Sequence, residues 1–280
     1  MSTTESIICK QLEELKDIQE MVSFQEEIWG RGSAVPITQL IAASHHGGLL
    51  LGAFHQDQLV GGLYSFPGYH NQDVYLYSHM AAVHPNYQNA GIGSKLKLKQ
   101  REWAMQYGYK KIMWTFDPLQ ARNSHFNLNK LGAYVNTYIP SYYGEMNDKL
   151  NKGLPSDRFL AEWDICSQRV EKALAGTLHS ETAEKNYSLL FNYEEHHELP
   201  VPLNVNIVSG EDGYLIPVPA DIHHLKQVDI EIAKKWRYEL RNHITEWLSK
   251  GYKVTGIIRN SSQSVHYYVI ENEKKADIYD

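Results

Sequence analysis

The clearest alternation of hydrophobic and polar positions lies between residues 74 and 108. Residues 74–83 (VYLYSHMAAV) are apolar, β-branched and aromatic, which predicts a strand. Apolar residues then recur near helical spacing, at Ile92, Leu96, Trp103 and Tyr107. Gly108 follows where a helix would end. The pattern predicts a strand that leads through a glycine-containing turn into a helix.

The rest of the first half alternates between short strands and amphipathic helices. Strands are predicted at residues 6–10, 48–54, 58–66, 111–116, 133–139 and 159–165. Helices are predicted at 11–29, 36–44 and 122–131. The predicted order is βααβββαβαββ, an α/β (α+β) class with a central mixed, mainly antiparallel sheet flanked by helices.

The second half predicts a smaller unit after a polar connection. A helix is predicted at 169–178, a polar and charged stretch at 180–198, and a strand at 213–218. One long helix at 220–250 and two strands at 252–259 and 265–270 follow. We therefore predict a domain at 5–166, a helix and linker at 167–209, and a small β-α-β-β unit at 210–275. This unit completes the domain, covers a substrate site or forms a homodimer.

Composition favours a cytoplasmic enzyme without a metal. The net charge of −6 argues against a nucleic-acid partner. Cys9 and Cys166 provide no disulfide framework, and no apolar run suits a signal peptide or a membrane span. The fourteen histidines include adjacent pairs but no HExxH motif. Lys95, Lys97, Lys99 and Arg101 are interpreted mostly as a solvated helix face.

The turn between the predicted strand and helix is a candidate phosphate-binding loop. Gly91 and Gly93 permit a tight turn, and free amides at a helix start attract anions. Lys95 follows Ser94, which is the reverse of the Walker A order, and the third glycine of a dinucleotide fingerprint is missing. An ordinary glycine turn that caps a helix is the alternative.

The loop sequence resembles the coenzyme A pyrophosphate loop of the GNAT (acyl-CoA N-acyltransferase) superfamily. Its Gln-x-x-Gly-x-Gly pattern is filled by Gln88, Gly91 and Gly93, and Val83-His84-Pro85 is similar to the preceding strand end. The resemblance covers about residues 5–166. Segments 115–119, 122–132, 153–158, 219–221 and 236–237 look like an uncharacterised bacterial and archaeal branch of predicted acetyltransferases with a C-terminal extension.

This resemblance implies a GNAT fold and an acyl-CoA co-substrate, acetyl-CoA or another acyl-CoA. The amine of a small molecule would attack the thioester directly. A backbone N–H near Ala82 or Val83 would bind the oxyanion. The pyrophosphate would be held by the backbone amides of Gln88, Asn89, Ala90, Gly91, Ile92, Gly93 and Ser94.

The sequence offers several candidates for the groups that transfer protons. His79, Ser78 through a water, and Tyr77 are candidate proton acceptors, and a packed strand histidine is the alternative for His79. Where the superfamily usually has a tyrosine acid, this chain has Leu128. Asn123 and Asn127 share a helix face and are candidates to hydrogen-bond the pantetheine or thiolate. His125 is another donor, and Asp117 is interpreted as a helix cap before Pro118.

The acceptor is predicted to meet the long connection at residues 139–158. Tyr142, Tyr143 and Arg158 are its candidate substrate-binding residues. A carboxylate-bearing acceptor, such as a free amino acid, would suit Arg158. The alternative is that Arg158 pairs with Asp157 or nearby acids. For Arg237 and Arg241 we favour a role as structural bridges.

Two functions from different classes follow, with a third kept open. The first is N-acyl transfer from acyl-CoA to a small-molecule amine. The second is a non-catalytic regulatory protein that binds acyl-CoA, which the replacement of the usual tyrosine keeps open. The third is a nucleotide-binding enzyme that uses the same loop for ADP.

Overall fold

A computed structural model describes residues 7–70, 72–144, 153–178, 187–203, 212–259 and 263–272. The chain divides into two compact units, Met1–Trp114 and Thr115–Asp280. Both have mainly antiparallel strands flanked by helices, which confirms the predicted fold class. The helix and linker predicted at 167–209 fall inside the second unit.

The first unit contains the strand, turn and helix predicted from the strongest pattern. Its elements are β1 (Ile7–Gln11), α1 (Leu15–Trp29), α2 (Ile37–His45), β2 (Leu49–His55), β3 (Gln58–His70), β4 (Asp73–Val83), a 3-10 turn (Pro85–Tyr87), α3 (Ile92–Tyr107) and β5 (Lys111–Phe116), whose last two residues belong to the second unit. The strands lie in the order β1-β2-β3-β4-β5. Neighbours are antiparallel except for β4 and β5, which are parallel.

Strand β2 is buried on both faces because helices cover both sides of this sheet. Leu50 points to the side of α1 and α2, where it packs with Met21 and Leu40. Its neighbour Leu49 points to the other side, where Leu96 of α3 packs. Alternation of side chains along a strand produces these two apolar layers. They fix α3, and with it the preceding turn, against the sheet.

The second unit builds its sheet from strands that are distant in sequence. Its elements are α4 (Ala121–His125), a π-helical turn (Phe126–Lys130), β6 (Tyr134–Ile139), β7 (Arg158–Asp164), α5 (Gln168–Leu174), β8 (Ser188–Leu189), β9 (Asn192–His196), β10 (Leu199–Leu203), β11 (Gly213–Pro219), α6 (Ile222–Val228), α7 (Ile230–Ser249), β12 (Tyr252–Ile258) and β13 (Val265–Asn272). The strand order within this unit is β7-β6-β12-β13-β11-β8. Strands β9 and β10 form a separate hairpin. The C-terminal strands thus continue the sheet of β6 through the pair Val254↔Val135.

The prediction of one helix over 220–250 is wrong, because the chain breaks at Asp229. This residue has an extended backbone (φ −149°), and its carboxylate accepts the N–H groups of Glu231 and Ile232. An aspartate that bonds these amides caps a new helix. The break therefore separates α6 from α7.

The helix predicted at 122–131 also differs from the structure. After α4 the backbone changes to i→i+5 bonding, as in the 3.0 Å bond from Leu131 N to Phe126 O. The polar stretch at 180–198, predicted as a linker, contains β8 and β9 and buries Leu190 and Phe191. Phe191 packs on Trp236 and His243 of α7, so two apolar residues hold this segment to the unit.

Candidate functional site

The turn between β4 and α3 has the backbone that an anion-binding loop requires. Gly91 is left-handed (φ +73°) and precedes the first residue of α3. Asn89, two residues earlier, is also left-handed (φ +68°). An added Cβ would meet no atom within 4 Å at either Gly91 or Gly93. Both positions therefore have open space where a side chain would begin, while the backbone at Gly91 favours glycine.

The amides at the start of α3 are available to a ligand by helix geometry. The first bond inside the helix runs from Lys95 N to Gly91 O at 3.1 Å. Ile92, Gly93 and Ser94 have no carbonyl four residues back within the helix, so their N–H groups lack an intrahelical acceptor. These amides also carry the positive end of the helix dipole. The arrangement suits a pyrophosphate.

Strand β4 contains a β-bulge at His79. The pairing passes from Tyr64↔Met80 to Ser65↔Ser78, so His79 is the extra residue. Bulges re-aim side chains and are frequent beside active sites. Closer to the loop, Ala82 and Val83, the predicted oxyanion donors, pair with Gly62 and Gly61.

The His79 ring is exposed on the surface but stands beside three aromatic side chains. Its centroid lies 6.0 Å from Tyr64, 5.8 Å from Phe66 and 6.3 Å from Tyr77. Partial removal of water by these neighbours lowers the pKa of His79 below its usual value. A neutral imidazole can accept a proton, so this environment suits a base.

Lys97 is an exception to the solvated helix face predicted for most of the basic residues between 95 and 101. Its side chain is buried, and its Nζ donates to Ser78 Oγ at 3.2 Å and to Gln100 Oε1 at 2.8 Å. The ammonium also lies 3.7 Å from the centre of the Trp114 ring. Burial lowers the pKa of Lys97 to about 7. Helical spacing could have indicated the burial of Lys97, since Lys97 shares a helix face with Gln100 and Ala104.

In the second unit, the two predicted asparagines meet on one helix face. Asn127 Nδ2 donates to Asn123 Oδ1 at 3.3 Å, and Asn127 is buried. Leu128 is fully buried in the π-helical turn. Single π turns are frequent at functional sites. The catalytic role of the two asparagines stays a prediction.

The three predicted substrate-binding residues lie next to one another. Tyr142 and Tyr143 are exposed and their rings meet edge to face, 4.6 Å apart. Arg158 lies 5.2 Å from the Tyr143 ring centre, and its Nη1 donates to Asp157 O at 2.9 Å. The rest of the predicted loop, residues 145–152, lies outside the described residues.

Asp157 accepts four hydrogen bonds from three residues, two of them from Arg241. Arg241 donates from Nε at 2.9 Å and from Nη2 at 2.6 Å, Tyr138 from its hydroxyl at 2.5 Å, and Ser141 from its amide at 2.9 Å. Burial raises the pKa of Asp157, but these hydrogen bonds outweigh it and the net direction is downward. Arg241 is therefore a structural partner of Asp157, the kind of role favoured for it from the sequence.

Asp117 forms an ion pair with Arg237 and is not the cap of α4 that the sequence had suggested. Its Oδ1 accepts the Leu119 amide at 2.8 Å, which stabilises a turn before α4. Both of its oxygens lie 2.8 Å from Arg237 Nη2. Arg158 Nη1 lies 3.8 Å from Asp117 Oδ2. The sequence missed this pair because its members are 120 positions apart.

The described residues show neither a metal-binding cluster nor a helix that could span a membrane. Within the ranges given above, no group of three or more His, Cys, Asp and Glu side chains is placed to hold a metal ion. In the same ranges, no helix combines the length and apolar character that crossing a membrane requires.

A family model described as acetyltransferase (GNAT) family matches residues 12–132. These residues form a GNAT acetyltransferase domain. The match contains the loop and helix described above, and the predicted family resemblance is confirmed. No curated protein matches the chain.

Solved structures with similarity to the GNAT domain include several acetyltransferases. One from Streptococcus pneumoniae is 18% identical and covers 56% of this chain and 97% of its own, with a TM-score of 0.44. One from Elizabethkingia anophelis with acetyl-CoA bound is 17% identical and covers 57% and 99%, with a TM-score of 0.40. An aminoglycoside acetyltransferase from an uncultured soil metagenomic sample, in complex with sisomicin, is 19% identical and covers 44% and 85%, with a TM-score of 0.39.

Proposed function

We propose that this protein is an N-acyltransferase that moves an acetyl or related acyl group from acyl-CoA to the amine of a small molecule, such as an amino acid. The observation that carries the proposal is the left-handed Gly91 at the start of α3, with open space where a side chain would begin. The family match of residues 12–132 supports acyl transfer in general.

The loop would bind the pyrophosphate of the co-substrate through backbone amides. The N–H groups of residues 88–94 supply donors without a side-chain charge, and the helix dipole adds to their attraction. A backbone N–H near Ala82 or Val83 would stabilise the oxyanion that forms on the thioester carbonyl. Held in this way, the carbonyl carbon is fixed for attack.

The reaction requires one bond to form and one to break. The amine nitrogen attacks the thioester carbon, a C–N bond forms, and the C–S bond then breaks to release CoA thiolate. His79, neutral because of its lowered pKa, would accept the proton that the amine loses. A thiol pKa near ~8.5 makes thiolate departure feasible without an acid at Leu128. An α-amino group, with a pKa of ~7.7–8, needs less help from a base than a lysine.

The test of this function is thiol release after mixing the protein, acetyl-CoA and a panel of amino acids and polyamines. Release that needs both protein and amine is the expected result. His79→Gln should lower kcat about 100-fold while the KM for acetyl-CoA stays unchanged. The matched control is His46→Gln, which changes an exposed histidine of the same unit and should have no effect. Full activity of His79→Gln would show that His79 is not the proton acceptor.

A second candidate function is a regulatory protein that binds acyl-CoA without turnover. The observation that favours it is the buried leucine at position 128, where the family resemblance places a tyrosine. Binding of acetyl-CoA without thiol release across the amine panel would favour this alternative. Thiol release with any amine would exclude it.

A further inference from the structure

Two buried polar side chains of α3 form a cluster with two serines of the sheet. Lys97 Nζ donates to Ser78 Oγ of β4 at 3.2 Å and to Gln100 Oε1 at 2.8 Å. Gln100 Nε2 in turn donates to Ser65 Oγ of β3 at 2.6 Å. All four side chains are buried, and those of Ser65 and Gln100 completely so. This polar cluster links α3 to two neighbouring strands through hydrogen bonds.

The two serines of the polar cluster pair with each other directly beside the β-bulge. The pair Ser65↔Ser78 is followed by Tyr64↔Met80, and His79 is the extra residue between them. The polar cluster therefore holds one residue of each strand at the step where the pairing becomes irregular.

The β-bulge decides which residues of β4 face each side of the sheet. Side chains alternate along a regular strand, so Ser78, Met80 and Ala82 would share one side. In the structure Ser78 contacts α3, whereas Met80 and Ala82 pack in the apolar layer of α1 and α2. A strand without the bulge would pair His79 with Tyr64 and give its ring the place that Met80 has in this layer. The bulge therefore leaves His79 exposed.

Lys97 also contacts β5, the neighbour of β4 on its other side. The two strands pair at Tyr77↔Met113. The next residues along them are Ser78 and Trp114, and Lys97 Nζ lies 3.2 Å from the Ser78 hydroxyl and 3.7 Å from the centre of the Trp114 ring. Strand β4 is thus held from α3, β3 and β5 at the residue that precedes the bulge.

The polar cluster is costly and calls for an explanation. A buried lysine among neutral partners loses its hydration, and an apolar side chain of similar length would avoid this loss. A buried polar network whose members are hydrogen-bonded specifies one arrangement of the surrounding core, which an apolar side chain does not.

We propose that Lys97 and Gln100 are positioning residues that fix the β-bulge and so keep the His79 imidazole exposed beside its aromatic neighbours. Lys97 acts on β4 through Ser78, and Gln100 acts on β3 through Ser65. The inference rests on the proposed function, in which His79 accepts the proton of the amine.

The kinetic test compares two replacements of Gln100 in thiol release from acetyl-CoA with the best amine of the panel. Gln100→Met keeps the length but loses the bonds to Lys97 and Ser65, so kcat should fall about tenfold while the KM for acetyl-CoA stays unchanged. Gln100→Glu keeps an acceptor for Lys97 and for the Ser65 hydroxyl, and kcat should return to within about twofold of wild type.

The matched control is Leu51→Ala, which removes a buried side chain from the apolar layer that α3 covers. Leu51 lies in β2, which does not neighbour β4 in the sheet. The variant should unfold at a lower temperature because of the cavity, but kcat should stay unchanged. A fall in kcat as large as that of Gln100→Met would mean that general destabilisation, and not positioning, lowers the rate.

A second readout needs no turnover and reports the register of β4 directly. With methionine methyl groups labelled by 13C, an NMR NOE between the Met80 methyl group and the Tyr64 ring is expected in wild type, because the two residues pair and pack in one layer. This NOE should fall below half in Gln100→Met and Lys97→Met, and persist in Gln100→Glu and Leu51→Ala.

The two readouts separate this inference from the proposed function. If wild type releases no thiol with any amine, the proposed function fails, and the NOE still decides whether the polar cluster fixes the bulge. If Gln100→Met does not fold, Ser78→Ala removes a single hydroxyl of the cluster and should weaken the same NOE. An NOE of wild-type strength in folded Gln100→Met and Lys97→Met, or in folded Ser78→Ala where that variant is used, would overturn the inference.

Discussion

Both units bury cationic side chains, and Lys97 of the first unit and Arg237 of the second differ in the chemistry of their partners. In the first unit Lys97 contacts a serine hydroxyl, an amide oxygen and the face of Trp114. In the second unit Arg237 contacts the carboxylate of Asp117. Burial lowers the pKa of Lys97 to about 7, whereas the pKa of Arg237 is raised despite burial.

The difference shows that burial alone does not decide the charge of a side chain. Neutral partners accept hydrogen bonds from an ammonium but do not replace its hydration, so the deprotonated form becomes accessible. A carboxylate partner compensates for the lost hydration, and removal of that partner is costly. Lys97 is therefore expected to titrate near neutrality, and Arg237 is expected to stay charged.

The largest effect is expected when the Asp117–Arg237 pair is broken. Arg237→Met leaves the carboxylate of Asp117 without its main partner and should lower the free energy of unfolding by about 3–5 kcal/mol. Urea unfolding of wild type and variant measures this loss. In the double variant Asp117→Asn with Arg237→Met, part of the stability should return, because the carboxylate that had lost Arg237 is removed as well. A double variant as unstable as the sum of the single ones would contradict the coupling.

A smaller effect, with a pH signature, is expected for Lys97→Met. The pKa of about 7 in the folded protein lies below the ordinary lysine value of 10.5, so the unfolded chain binds more protons between these two pH values. Stability of wild type should therefore rise with pH in this window, by about 2–3 kcal/mol between pH 7 and 10 relative to the variant. Below pH 7 the difference in unfolding free energy between wild type and Lys97→Met should no longer change with pH.

Chemical denaturation at a series of pH values measures this difference. The control is Lys99→Met, which removes an exposed lysine of the same helix that pairs with Glu102 at 2.8 Å. It should follow the pH dependence of wild type. If Lys97→Met also follows wild type, the buried ammonium does not titrate in this range.

The smallest effect is expected for Arg241→Gln. The Asp157 carboxylate keeps its hydrogen bonds from Tyr138 and Ser141, so the loss of unfolding free energy should be about 1–2 kcal/mol. The pKa of Asp157 is lowered in the folded state, so its stabilising effect is present above about pH 4 and is lost as the pH falls further. Acid unfolding should show a smaller drop for the variant than for wild type. An identical acid profile would mean that Arg241 does not hold the pKa of Asp157 down.

The sequence predicted the parts of the fold that depend on local pattern. Alternating apolar residues identified β4, and helical spacing after Gly91 identified α3, because both signals lie within a few residues. The break at Asp229 also has a local cause, because this residue caps α7. The sequence nevertheless predicted one helix, since apolar residues continue at helical spacing on both sides of Asp229. The asparagines at 123 and 127 meet because four-residue spacing places them on one face.

The features that the sequence could not reveal depend on partners far along the chain. The bulge at His79 is set by its register with β3, which no pattern within β4 specifies. The pair of Asp117 with Arg237 and that of Asp157 with Arg241 require α7 to be placed against distant residues. Likewise, the burial of Lys97 depends on Ser78 and Trp114, which belong to neighbouring strands.

The loop at Gly91 is tested most directly by calorimetry of acetyl-CoA with wild type, Gly91→Ala and Gly91→Asp. Wild type should bind. Gly91→Ala introduces strain at a left-handed position and should weaken binding about tenfold, whereas Gly91→Asp adds a charge that repels the pyrophosphate and should abolish it. Circular dichroism confirms that each variant is folded. Acetyl-CoA binding by folded Gly91→Asp with the affinity of wild type would contradict the placement of the co-substrate in this loop.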